Sequence, residues 1–181
     1  VDALMEEIMK IFYYDDEIKK LELNLNYTSL VKRLESIFFE TKDADVLSSI
    51  IGCSWLYYIE GNVKQVPTDY DYQYFKIKWK EYVDIGLNEF RSSAGVCFII
   101  AYTLDLHWFH LGVKYENKHK DLYKRAIKLS NEENIKVINR YFLSNDFKSI
   151  NSIGKICKET FPTESNLDLY FKEILNLKLK P

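Results

Sequence analysis

Glycine and proline are scarce in this 181-residue sequence, with six of one and three of the other. An all-β fold needs such residues at its many hairpins, so their scarcity argues against one. The glycines are also scattered, at positions 52, 61, 86, 95, 112 and 154. A phosphate-cradling loop needs them clustered so that the backbone can approach the anion. G-x-G-x-x-G and G-x-x-x-x-G-K are both missing, which excludes nucleotide binding by those two routes. Cysteine is as rare. Cys53, Cys97 and Cys157 stand far apart with no C-x-x-C, which is not a disulfide framework. Cys97 lies in the apolar run AGVCFII, where a thiol behaves as a small core hydrophobe. A reducing, cytoplasmic setting is the simplest expectation.

An excess of either charge is missing too. Lys and Arg number 25 and Asp and Glu 27, for a formal charge of -2. A nucleic-acid binder usually shows a basic excess or a strongly basic face, and the balance excludes the first. The longest nearly apolar run, about 94–106, is interrupted by Asp105 and is too short to span a bilayer. The first residues, VDALMEEIMK, carry Glu6 and Glu7 where a signal peptide needs positive charge. The start at Val1 rather than Met leaves room for a targeting segment removed upstream. What is abundant is apolar and aromatic surface, 47% and 15% of residues, which a disordered chain lacks. The length fits one domain over residues 1–181.

Helical periodicity runs through most of the chain. A first helix is expected over 2–23, with Leu4, Ile8, Ile11 and Phe12 on one face and Asp15, Asp16 and Glu17 as a break or kink. A second covers 28–40. Asp43 caps a third, which Gly61-Asn62 ends. Thr68 offers the next N-cap. FKIKWKEY alternates apolar and charged like a strand. Yet Tyr72, Phe75, Trp79, Tyr82, Val83, Gly86 and Phe90 make a longer helical stripe, so a helix is preferred over 69–90. Ser92 or Ser93 caps a helix over 94–111, apolar nearly all round and therefore central, closed by Gly112. A helix over 118–129 follows. Ser130 and Glu133 form a capping box for the next, through about 143. Asn145 or Asp146 starts another through 160, and Pro162-Thr163 introduces the last, to about 178. The expected fold is all-α: one antiparallel stack of about nine helices.

Tyrosine is plentiful, and much of it sits beside acids. One cluster is Tyr13, Tyr14, Asp15, Asp16 and Glu17; the other is Asp69, Tyr70, Asp71, Tyr72 and Tyr74. Rigid amphipathic rings rimmed by negative charge suit binding to a basic protein surface. The plainer alternative is that these rings fill gaps between helices. Among the three histidines, His107 and His110 stand three apart on a helix and could join Asp105, Glu116 or His119 in a metal-bearing site. The plainer alternative makes them polar ends of a buried helix. Lys76, Lys78 and Lys80 interleave with Phe75, Ile77 and Trp79 as in single-strand binders, but a helix spreads them over several faces. The C-terminal helices could form a helix-turn-helix, though Glu164, Asp168 and Glu173 on the reading helix would repel phosphate.

The stretch LGVKYENKHKDLYKRAIKL, 111–129, resembles part of a tetratricopeptide repeat. Leu111-Gly112 with Tyr115 matches its L-G-x-x-Y, and Tyr123 through Ala126 its closing Y-x-x-A. The stretch is about five residues shorter than the standard repeat and lacks the proline expected after its closing helix. The resemblance implies antiparallel helix packing that makes a protein-binding surface. In type rather than motif, the small, helical, slightly acidic, Tyr-rich chain resembles the immunity proteins of bacterial toxin systems. That likeness implies a protein that binds a cognate toxin and blocks its active site. Together with the acidic-aromatic clusters and the lack of catalytic motifs, the expectation is a non-enzymatic inhibitor with no cofactor, in which Asp69, Tyr70, Asp71, Tyr72 and Tyr74 meet a basic toxin surface, with Asp15, Asp16 and Glu17 as a second patch. The alternatives are an enzyme with its site near Asp105, His107, His110 and Glu116, and a DNA-binding regulator that uses the C-terminal helices.

Overall fold

A computed structural model describes residues 10–60, 71–144 and 153–177. The described residues form nine α-helices and no strand. They are α1 (Asp16–Leu23), α2 (Tyr27–Thr41), α3 (Ala44–Glu60), α4 (Tyr72–Glu89), α5 (Ala94–His107), α6 (Lys118–Leu129), α7 (Glu133–Ser144), α8 (Ile153–Thr160) and α9 (Asn166–Leu177). Two 3-10 turns, Trp108–His110 and Val113–Tyr115, join α5 to α6. Each helix packs on its chain neighbour through α1, α2, α3, α4, α5, α6 and α7, and α3 also reaches α5 and α9. The all-helical stack expected from periodicity is what forms. No described helix is long and apolar enough to cross a membrane.

Helix α5 is the axis. Every residue from Val96 to Leu104 is buried, which is why its apolar pattern goes all round. Ser93 starts it by accepting the Val96 amide at 3.2 Å. On one flank Phe98 joins Phe12, Phe161 and Phe171; the last three stack on one another and Phe98 is tilted against Phe161 and Phe171, with centroids 5.0 to 6.4 Å apart. Burial of such a ring stabilises by about 1.5–3 kcal/mol. On the other flank α4 lies close, because Gly86 has no side chain. A Cβ there would stand 2.6 Å from Ile100 Cδ1 and 3.0 Å from Val96 Cγ1.

Several local expectations are corrected. Lys10 to Asp15 are not helical, and residues 1–9 lie outside the description. The acidic patch does not kink a long helix but begins α1: Asp15 Oδ1 accepts the Ile18 amide at 2.8 Å. Asp71 rather than Thr68 caps α4, and Thr68 is outside the described residues. Helix α5 stops at His107, short of 111, and Gly112 takes φ 118, open to glycine at no steric cost. Ser130 and Glu133 form no capping box. Ser130 Oγ accepts the Glu132 amide at 3.0 Å, while Glu133 pairs with Arg140 at 2.9 Å. Gly61, Asn62, Asn145 and Asp146 also lie outside the description. Within the repeat-like stretch, Gly112 is the cap of the second 3-10 turn and Tyr115 its last residue, and Tyr123 and Ala126 are buried on α6.

Candidate functional site

The two acidic-aromatic clusters fall on opposite sides of α2. At the start of α1, Asp15 Oδ2 also accepts the Tyr13 hydroxyl at 2.7 Å, which lifts that phenol to about 12. Glu17 meets Arg33 of α2 at 2.8 Å, and Asp16 is exposed. At the start of α4, exposed Asp71 accepts the Tyr74 amide at 3.0 Å. Asp69 and Tyr70 are outside the described residues. Tyr74 is half-buried and bonds not outward but to Glu35 of α2, at 3.2 Å. Tyr82 donates to the other oxygen of Glu35 at 2.8 Å, and Lys78 pairs with it at 2.8 Å. Burial, then the Glu35 carboxylate, raises both phenols far above their ordinary range, so they remain protonated donors.

Tyr72 belongs to a different assembly. It leans on Tyr58 of α3, centroids 4.5 Å apart, and Tyr58 meets His110 at 5.2 Å. Rings continue through Phe109 and His107 to Trp55. The α3 C-terminus, the α4 N-terminus and the α5 C-terminus thus share one aromatic corner. Two hydrogen bonds hold its histidines. Trp55 Nε1 donates to His107 Nδ1 at 3.1 Å, and Tyr58 Oη shares a bond with His110 Nδ1 at 2.9 Å. An indole N–H can only donate, so His107 Nδ1 carries no proton and His107 is the neutral Nε2–H form. Burial lowers the pKa of both imidazoles, aided by His110 at His107 and by Lys76 at His110.

Exposed apolar side chains stand on the end of α5 and the turns that follow it, and Phe109 among them belongs to this corner. Leu106 is 44% exposed, Phe109 58% and Val113 77%. Exposed Asp105 and Glu116 stand on the same segments and exposed Asp71 at the start of α4, with Lys76 over the Tyr58 ring. The sequence reading singled out Tyr72 here but missed the apolar trio. Helical spacing could not have found them, because they stand on α5 and on two separate 3-10 turns.

Of the four residues of the alternative enzyme site, His107 and His110 come together, ring centroids 5.8 Å apart, and Asp105 and Glu116 bond to neither. Asp105 faces His119 at 3.4 Å, His107 faces Trp55, His110 faces Tyr58, and Glu116 is exposed. Among the described residues no three His, Cys, Asp or Glu side chains are grouped to hold a metal. All three cysteines are free and buried. On the proposed reading helix, Asp168 is 4% exposed and bonds back to the Thr163 amide at 2.7 Å.

One buried acid has no ion pair among the described residues. Glu22, 7% exposed, accepts the Asn166 amide at the start of α9 at 3.2 Å and the Tyr57 hydroxyl at 3.4 Å. The groups around it are Tyr14, Tyr57, Cys53 and the carboxylate of Asp168. Burial lifts Glu22 to about 7 against the pull of those hydrogen bonds. It ties α1 and α3 to α9. Compared with known proteins, the chain matches no family model, no curated protein and no solved structure.

Proposed function

We propose that this chain is a non-enzymatic protein-binding module. In concrete terms it is a cytoplasmic inhibitor of the immunity type that covers a basic surface on a cognate bacterial toxin. The observation that carries the reading is exposed Phe109, whose ring meets His110 and through it Tyr58 and Tyr72, with exposed Asp71 at the same end of α4. A rigid ring in an apolar centre with a charged rim is how a hot spot is built. The acids favour a basic partner and speed its approach. The second cluster contributes Asp16, since Asp15 and Glu17 hold α1 in place.

The test uses the product of the gene adjacent to the one encoding this chain. That product is expressed alone and together with the chain. Toxicity alone, rescue on co-expression and direct binding of the purified pair are expected. Phe109→Ala should weaken binding by about 2 kcal/mol. A harmless neighbour, or a toxic one that the chain neither binds nor neutralises, would overturn the proposal.

A further inference from the structure

The sequence holds four arginines. Arg33 and Arg140 are held by Glu17 and Glu133 at 2.8 and 2.9 Å. Arg91 and Arg125 have no ion pair among the described residues, and both line one cavity of about 170 Å³. That cavity lies where the end of α4 meets α5 and α6. Arg91 follows α4 and donates from Nε to the Leu87 carbonyl. On α6, Lys118, Asp121, Leu122 and Arg125 recur at helical spacing and turn one face to it. The inner wall is apolar: Leu87, Ile100 and Leu122. Three cations therefore stand against one carboxylate, Asp121, around an apolar hollow.

The convergence has an internal witness. Burial lifts the Cys97 thiol to about 11, and the fields of Arg125 and Arg91 both act against that lift. The charges of two exposed guanidinium groups from separate elements are thus both felt at Cys97, which also lines the cavity. Guanidinium matches carboxylate and phosphate through paired N–H donors, and it is the cation suited to a partly desolvated site. A cavity of about 150 Å³ is enough for a benzene ring.

We propose that this cavity binds a small oxyanion with an apolar body, either a carboxylate or a phosphate monoester. Arg91 and Arg125 grip the anionic head, Lys118 adds charge at the rim, and the apolar body lies against Leu87, Ile100 and Leu122. The site is separate from the aromatic corner and does not depend on it.

The purified chain is titrated calorimetrically with phenyl phosphate, benzoate and benzylamine. Saturable binding of at least one of the two anions is expected, with none for the amine. The tighter anion tells phosphate from carboxylate. Arg125→Gln should weaken binding at least about tenfold, and so should Arg91→Gln, which gives a second reading from outside α6. Lys124→Gln, on the exposed side of α6, should leave binding unchanged. The proposal fails if neither anion saturates by about 10 mM, if benzylamine binds as well as the anions, or if the arginine variants bind like Lys124→Gln.

Discussion

The two ends of α4 carry opposite charge and put it to opposite use. At the N-terminal end the acids are engaged. Asp71 caps the helix, and Glu35 receives Tyr74, Tyr82 and Lys78. At the C-terminal end Arg91 and Arg125 surround a hollow without an ion pair among the described residues. Asp71 before the start and Arg91 past the finish both suit the helix dipole, while Glu35 lies along α4 from Tyr74 to Tyr82. The difference lies in what else satisfies them. A carboxylate beside a helix start finds amides and phenols at hand, so it is absorbed into the fold. Guanidinium groups beside apolar walls find one carboxylate between them, which leaves positive potential for a ligand.

Removing what lies between the ends has the largest effect. Trp79, at the middle of α4, is fully buried and donates to Thr103 Oγ1 at 3.3 Å. Trp79→Ala should cost about 3–5 kcal/mol in chemical denaturation and loosen both ends together. A loss below about 1 kcal/mol would mean that α4 is not the shared support.

Next comes Glu22, an acid whose hydrogen bonds do not include a cation. Its folded pKa, about 7, lies above its unfolded value. The folded state therefore holds the proton more tightly, and that stability is complete at acid pH. It disappears as pH rises through about 7, a change of about 3 kcal/mol at most. The depressed imidazoles of His107 and His110 act oppositely and lose their contribution as pH falls below the ordinary range, about 6.5. Glu22→Gln should thus remove the part of the fall in melting temperature that lies between about pH 4.5 and 7, and leave the slope above pH 7 unchanged. Equal slopes below pH 7 in variant and wild type would contradict this. Glu35→Gln comes third, at about 1–3 kcal/mol, since two phenols and Lys78 lose their charged acceptor. Unchanged stability would show that the acidic end is as free as the basic one.

Most of the helices were legible because each has its own apolar period. The limits of α6 at Lys118 and Leu129 match the pattern, and the α4 stripe outlasted the strand-like alternation of FKIKWKEY. Ends were less legible where tertiary bonds decide them. His107 leaves the α-helical conformation at φ -140 where it meets Trp55, a residue far earlier in the chain, and no local signal marks that stop. The sites divide in the same way. Acid beside tyrosine was visible because the residues are adjacent in sequence, but their bonds to Glu35 were not. The pairing of Arg91 with Arg125 exists only once α6 has folded back against α5.

The most direct measurement is thermal unfolding of the Arg91→Gln, Arg125→Gln double variant, with and without phenyl phosphate. Charges without an ion pair can be removed with little loss, and the bond from Arg91 to the Leu87 carbonyl is an exposed one. The expected result is a melting temperature within about 2 °C of wild type, with any rise caused by the ligand abolished. A fall as large as that of Glu35→Gln would contradict it, because those arginines would then be as much a part of the fold as the acids at the other end of α4.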